Sequence, residues 1–249
     1  VDRRFYEWSM PSADTQRLFD EAKRLGVGFY LGYAELVREP GSTRRFNTSI
    51  LVSPEGTIVG KYRKIHLPGH SDHKPKAAFQ HLEKKYFEVG DLGFRVWKYQ
   101  NTIAGMLLCN DRRWPEAFRV LALQGAEVVA LGFNTPSVNS QNAAEGLEQR
   151  MFQHRLSLQA GAYQNGTWVI GVAKGGTEEG VPSLADSMII APSGKVVARA
   201  GGNDDELIVH RCDLDAGLSY KRSTFNFAVH RQPDQYRRIV EQKGAVDPA

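Results

Sequence analysis

Apolar positions along this chain fall into short runs and helical stripes that alternate. Leu18, Phe19, Ala22 and Leu25 recur at helical spacing within residues 12–25, and Gly26 is placed to end that helix. The mostly apolar run 27–36 reads as a buried strand. Runs 49–52 and 57–62 flank Pro54-Glu55-Gly56, which reads as a turn between two strands. Residues 68–80 carry Pro68, Gly69, Pro75 and several basic positions and read as a loop. A second strand–turn–strand unit spans 94–99 and 102–108 around Gln100-Asn101.

After Cys109 the period changes. Pro115 suits the first turn of a helix whose apolar side holds Ala117, Val120, Leu121 and Leu123, ended by Gly125. Residues 127–133 form another buried strand, and 134–143 form a loop. A long helix is expected over 144–164, with Leu147, Met151, Leu158 and Ala162 on its stripe. Strands follow at 167–173, 187–190, 195–200 and 206–212. Strands alternate with helices in the middle and hairpins dominate the end. That order predicts an α/β sandwich with both parallel and antiparallel pairs, without repeats or an interdomain linker.

Composition narrows the function classes. The 249 residues are 41% hydrophobic and 24% charged, which is enough to bury a core in one domain. A net charge of +4, with bases scattered among acids, argues against nucleic acid as a partner. No apolar run reaches the roughly 18–20 residues of a membrane helix. Two cysteines, Cys109 and Cys212, exclude a disulfide scaffold and a four-thiolate zinc site. The start has neither a signal-peptide pattern nor an initiator Met. A cytoplasmic, reducing location is the expectation.

Several common signatures fail on spacing. Gly26 to Gly32 is one residue too long for a dinucleotide loop and precedes a strand. Gly56 to Lys61 lacks the P-loop spacing. No G-x-S-x-G elbow or H-E-x-x-H pair is present. His66, His70 and His73 sit in a basic loop, which reads as solvated rather than metal-binding, and no cofactor is implied.

The segment 107–116, LLCNDRRWPE, is different. A strand runs into Cys109 and a helix begins a few residues later. That junction favours a thiolate and could hold an oxyanion, although a buried structural cysteine is the plainer alternative. Arg112 and Arg113 are either a carboxylate clamp or ordinary surface arginines paired with Asp111, Glu116 or other acids. Lys64, next to Ile65 and Leu67 at a strand end, is either partly desolvated for a purpose or snorkels to the surface.

Taken together, GKYRKIHLPGH (60–70), FQHLEKKYFEVGD (79–91), CNDRRWPEAFRV (109–120), GFNTP (132–136), QAGAYQNG (159–166) and FNFAVHRQPDQY (225–236) resemble the nitrilase superfamily of carbon–nitrogen hydrolases. The match looks closest to the branch acting on N-carbamoyl-D-amino acids. It runs from about Phe5 to Tyr236 and is weakest at 138–155 and 174–186. The resemblance implies an αββα sandwich of two mixed sheets with outer helices, built as one domain over 1–249. It implies Cys109 as nucleophile, Lys64 as stabiliser of the tetrahedral intermediate, and Glu83 as the group that orients Lys64. Asn110 would supply a backbone N–H to the oxyanion. Arg112 and Arg113 would bind a carboxylate, with Asn134, Thr135 and His81 on the pocket wall.

One departure accompanies it. The family triad also contains a glutamate on an early strand, which would align upstream of Val1. Glu7, Glu21 and Glu35 match other positions. The expectation is therefore a chain that lacks the N-terminal strand and helix of its family and does not turn over without them. The resemblance further implies a small-molecule N-carbamoyl amino acid as substrate and a homodimer or homotetramer. Other readings stay open: an amidase for N-carbamoyl-β-alanine, N-carbamoylputrescine or an aliphatic amide, or a non-catalytic paralogue used in binding. An arginine pair favours an acidic substrate over the cationic putrescine derivative.

Overall fold

The computed structural model describes residues 3–77, 79–140, 142 and 144–247. Helix α1 (Gln16–Leu25) leads into the antiparallel strands β1 (Phe29–Glu39), β2 (Ser42–Val52) and β3 (Ile58–Arg63). A one-turn helix α2 (Glu83–Tyr86) interrupts the following loop. Strands β4 (Val96–Tyr99) and β5 (Thr102–Leu108) come next, then α3 (Pro115–Leu123), β6 (Val128–Phe133), α4 (Leu147–Tyr163) and β7 (Trp168–Ala173). A two-residue hairpin, β8 (Thr177–Glu178) and β9 (Val181–Pro182), precedes β10 (Met188–Ile190) and β11 (Val196–Arg199). Short helices α5 (Leu218–Arg222), α6 (Phe227–His230) and α7 (Arg237–Glu241) follow.

β1, β2 and β3 form one sheet in that order. Glu7 adds a single parallel bridge at the β1 edge, opposite Glu35. The larger sheet runs β11-β10-β7-β6-β5-β4 and is mixed: β5, β6 and β7 are parallel and the rest antiparallel. β2 faces β5, β3 faces β4 and β1 faces β6, so the sheets stack face to face. Leu51, Tyr62, Ala104, Met106 and Leu108 fill the space between them. Phe118, Leu121, Leu158 and Ala162 from α3 and α4 cover the outer face of the larger sheet. Phe19 of α1 covers the smaller sheet against Ile50 and Val52. This is the expected αββα layering. Buried on both faces, β5 reads as an almost unbroken apolar run.

Three details differ from the sequence reading. Among the described residues, 206–212 pair with no strand: Leu207 and Val209 point to solvent at 86% and 76% exposure, and the segment's end is tied on by Trp168 Nε1 donating to the Asp213 carbonyl at 2.8 Å. Alternation alone does not make a strand where no ladder edge is offered. Cys212 therefore sits in an extended connection rather than a strand. The buried stripe of α4 is Arg150, His154, Leu158, Gly161 and Ala162, with Leu147 exposed. The apolar pattern misled because the buried face turns polar in its first half. Of the loop 134–143, positions 141 and 143 lie outside the described residues.

Sheet contact is tight at Gly60 in β3, where an added Cβ would meet the Trp97 ring of β4 at 2.5–2.9 Å. The ring body cannot swing aside inside the sandwich. Gly60→Ala is expected to cost about 1–3 kcal/mol through overpacking. Chemical denaturation of the two proteins measures it, and an unchanged midpoint would contradict this account of the inter-sheet packing.

Candidate active site

The site forms where β5 ends. Leu108 closes the strand and Cys109 takes φ of 43°, a left-handed conformation that is costly for a residue with a Cβ. Residues Cys109–Arg113 then make a short 3₁₀ turn before α3. What holds this elbow is Asp111, which is fully buried. Its Oδ2 accepts from the Tyr62 hydroxyl at 2.8 Å and the Leu108 N–H at 2.9 Å. Its Oδ1 accepts from the His66 N–H at 3.0 Å and lies 2.9 Å from His66 Nδ1. The His66 ring stacks on Trp114, with centroids 4.8 Å apart and planes 7° from parallel.

Lys64 lies just beyond β3 and its side chain is fully buried. Its Nζ donates to Glu83 Oε1 at 2.6 Å, and Asn47 Nδ2 donates to the same oxygen at 2.9 Å. Snorkelling to the surface does not occur. Lys64, Glu83, His81, Asn134 and Cys109 line one cleft of about 890 Å³. Burial pushes the Cys109 thiol up, but Lys64, Arg112 and Arg113 together outweigh burial and the opposing Glu83, so its pKa lies below the ordinary thiol value. Cationic side chains, rather than the distant start of α3, favour the thiolate. The pKa of Cys212 is raised by burial.

The two arginines separate. Arg112 is 1% exposed. It donates to the Cys109 carbonyl at 2.6 Å and to Thr135 Oγ1 at 3.0 Å, and its Cζ lies 4.5 Å from the centre of the Phe133 ring. Burial, the largest influence, lowers its pKa to about 10. Arg113 is exposed and touches Asn110 Oδ1 at 3.4 Å. Asn110 in turn donates to the His66 carbonyl at 3.1 Å. Thr135 Oγ1 stands 4.0 Å from Cys109 Sγ. The exposed Asn134 donates to Glu178 at 3.2 Å. His81 lines the pocket as expected, and burial together with Arg150, Lys64 and Arg113 lowers its pKa despite Glu83. It is a neutral ring near pH 7.

Side chains that the sequence reading passed over complete the site. Arg150 and Glu145 line a second cavity of about 300 Å³ that also reaches Cys109. His154, fully buried, packs its ring 4.8 Å from Phe133, and its pKa is lowered to about 3, first by burial and then by Arg112. Tyr30 donates to the Leu107 carbonyl at 3.0 Å and walls the larger cleft. Arg150 and His154 continue the Leu158–Ala162 stripe at four-residue spacing. That polar continuation was a readable signal. Among the described residues, no group of three or more His, Cys, Asp or Glu could hold a metal ion, and no helix is long and apolar enough to cross a membrane.

The family model for carbon-nitrogen hydrolase matches residues 2–222. The chain is similar to an N-carbamoylputrescine amidase of Solanum lycopersicum, with 30% identity over 92% of this chain and 73% of that protein. It is similar to an (R)-stereoselective amidase of Pseudomonas sp, with 31% identity over 87% of this chain and 68% of that protein. Its fold matches the crystal structure of a carbon-nitrogen hydrolase from Helicobacter pylori G27 at a TM-score of 0.78. The identity there is 24%, covering 93% of this chain and 77% of that one.

The electrostatics give a direct test. Iodoacetamide should modify Cys109 well before Cys212, whose thiol is pushed the other way. In a Cys212→Ser background, Lys64→Met removes a cation that holds the thiolate. The alkylation profile of Cys109 should then move to higher pH; a profile that stays in place would remove Lys64 as a source of the shift.

Proposed function

The chain belongs to the carbon-nitrogen hydrolase family, and from that premise we propose that it hydrolyses N-carbamoyl-D-amino acids to the D-amino acid, carbon dioxide and ammonia. The observation that carries the choice of substrate is Arg113 at a cavity that opens onto Cys109. A carbamoyl amino acid presents one carboxylate near its reacting carbon, and a guanidinium can hold it by two parallel bonds. The D-configuration rests on the CNDRRWPE resemblance.

In this reading the Cys109 thiolate attacks the carbamoyl carbon, forming a C–S bond, and the carbonyl electrons move onto oxygen. Lys64, fixed by Glu83, faces that oxyanion together with the Asn110 N–H. The oxyanion collapses and expels ammonia, which takes up a proton as it leaves. Water then attacks the remaining thiocarbamate and releases the cysteine. The carbamate product decomposes to carbon dioxide and the free amine. The proton acceptor is assigned to the family's triad glutamate. Glu35 does not serve: Lys61, Arg63 and Thr48 already occupy its buried carboxylate at 2.7–2.8 Å. Glu21 pairs with Arg24 at the surface.

Arg112 has a different part. With its guanidinium committed to the Cys109 carbonyl and Thr135, it supports the elbow and the thiolate, which leaves Arg113 for the carboxylate. The named activity of the putrescine-type relatives would place a cationic group where this chain has Arg113, and like charge disfavours that. The exposed Phe152 and Leu156 on α4 support the expectation that copies of the chain pair through their helices.

Ammonia release from N-carbamoyl-D- and L-phenylalanine by the full-length protein tests the activity. Cys109→Ala should abolish it. A full-length protein inert toward carbamoyl amino acids and amides alike would favour the binding role. Arg113→Ala should weaken carbamoyl amino acids by about 1.5–3 kcal/mol, the range for hydrogen bonds to a charged group, or roughly 10- to 150-fold in kcat/KM. Lysine should restore part only, since a point charge lacks the fork. The methyl ester, with no carboxylate, should be far less affected, and equal losses on acid and ester would eliminate the clamp.

A further inference from the structure

The cavity of about 300 Å³ holds more than Arg113. Cys109, Asn134, Glu145, Arg150 and Gln153 also line it. Arg150 comes from the first turn of α4 and is 5% exposed. Its Nη1 donates to Glu145 Oε2 at 2.8 Å and its Nη2 to the Pro136 carbonyl at 2.8 Å, while Nε is buried without a hydrogen-bond partner. Asn139 Nδ2 donates to the same Glu145 oxygen at 2.7 Å. The Asn139 bond above all, with help from Arg150 and Gln153, keeps the Glu145 carboxylate below its ordinary range. An ion pair in the wall of a substrate cavity is costly to desolvate and calls for a purpose. It lies in the stretch 138–155, where the family resemblance is weakest and assigns no role.

The charges around Cys109 fall into pairs with one exception. Lys64 faces Glu83, Arg112 faces the thiolate, and Arg150 faces Glu145. Among the described residues, Arg113 has only the long contact to the Asn110 amide oxygen. Both Arg150 and Glu145 lie within electrostatic reach of Arg113. The cavity therefore carries one unmatched positive charge.

We infer that the Glu145–Arg150 pair is a specificity determinant that sets the cavity to accept a single carboxylate and to turn away a second. The inference rests on the carbamoyl-amino-acid reading above and deepens it. Loss of Glu145 would leave two positive charges and admit a dianion. Loss of Arg150 would leave Glu145 facing Arg113 and cancel the attraction for any carboxylate. Neither side chain is placed at the reacting atoms; both act on the field at Arg113, so they are positioning residues.

Calorimetric binding in a Cys109→Ala background tests this without turnover; the background leaves Arg112 unmatched equally in every protein compared, so the readout is the change from that background for each ligand. The ligands are N-carbamoyl-D-phenylalanine, its neutral amide, and N-carbamoyl-D-aspartate. Arg150→Gln should weaken the phenylalanine acid by about tenfold while the amide changes by less than about threefold, and Arg150→Lys should recover part of the loss. Glu145→Gln, nearly isosteric and able to keep the Asn139 bond, should tighten the aspartate relative to the phenylalanine acid by about tenfold. Equal changes for all three ligands would mean that the pair only shapes the loop, and would overturn the inference. If N-carbamoyl-D-phenylalanine does not bind the Cys109→Ala protein at all, the functional reading itself fails and the inference falls with it.

Discussion

The buried carboxylate of Asp111 is the constraint on which the site depends. It gathers a hydroxyl from β3, a backbone N–H from the end of β5, and both the N–H and the ring of His66. Two chain segments some 45 residues apart thus meet at one residue with no exposure to water. A buried donor left without its acceptor costs about 1–3 kcal/mol, so these bonds are strongly interdependent. They supply the energy that keeps Cys109 at φ of 43° against the steric preference of an L-residue. The strained elbow lifts the thiol out of the strand line and into the cleft. The fold supplies the frame, with β3 and β5 on opposite sides of the inter-sheet core, and Asp111 ties the two together so that the position of the Cys109 thiol is fixed.

Once the thiol is placed, its charged form has to be favoured at a half-buried position in the cleft. Burial alone would raise its pKa. Lys64 and the arginines reverse the sign, and each is itself restrained. Glu83 and Asn47 hold the Lys64 arrangement, while Thr135 and the Cys109 carbonyl hold Arg112. His154 and His81 are pushed toward neutrality first by burial and then by neighbouring cations, so they add no further positive charge near pH 7. Fixed charges of this kind need no reorganisation when an oxyanion develops nearby.

Much of this could be read in the sequence because strong local signals agreed with the fold. β5 stands at its expected bounds and α3 begins at the expected Pro115, since the apolar run and the proline punctuate them. Cys109, Lys64 and Glu83 were legible through motif resemblance, and they line one cleft. The failures have a common cause. The first half of the α4 stripe is polar because it faces the site rather than the core, so a hydrophobic count shifted the face toward Leu147. In the sequence, Asp111 offers itself only as a partner of the neighbouring arginines. Its actual partners, Tyr62 and His66, lie 49 and 45 residues away, and no local pattern encodes such a contact. The alternation at 206–212 was real, but pairing depends on an available edge elsewhere in the chain.

The different fates of two adjacent arginines follow from the helix type. In a 3₁₀ turn, residues three apart eclipse one another. Arg112 therefore lies over Cys109 and bonds its carbonyl, Arg113 lies over Asn110 and reaches its amide, and Asp111 lies over Leu108 and takes its N–H. An α-helix, at 100° per residue, would offset these pairs by about 60° rather than eclipse them. The short turn between β5 and α3 thus sends one guanidinium inward to the thiolate and the next outward to the cavity. The sequence Asn-Asp-Arg-Arg is a set of consecutive residues whose roles are sorted by a 120° rotation at each step. A one-residue insertion before Arg112 would turn that arginine outward over Asn110 and leave the inserted residue, in place of a guanidinium, over Cys109. The chemistry of this site is accordingly written in the local backbone geometry as much as in the identity of its side chains.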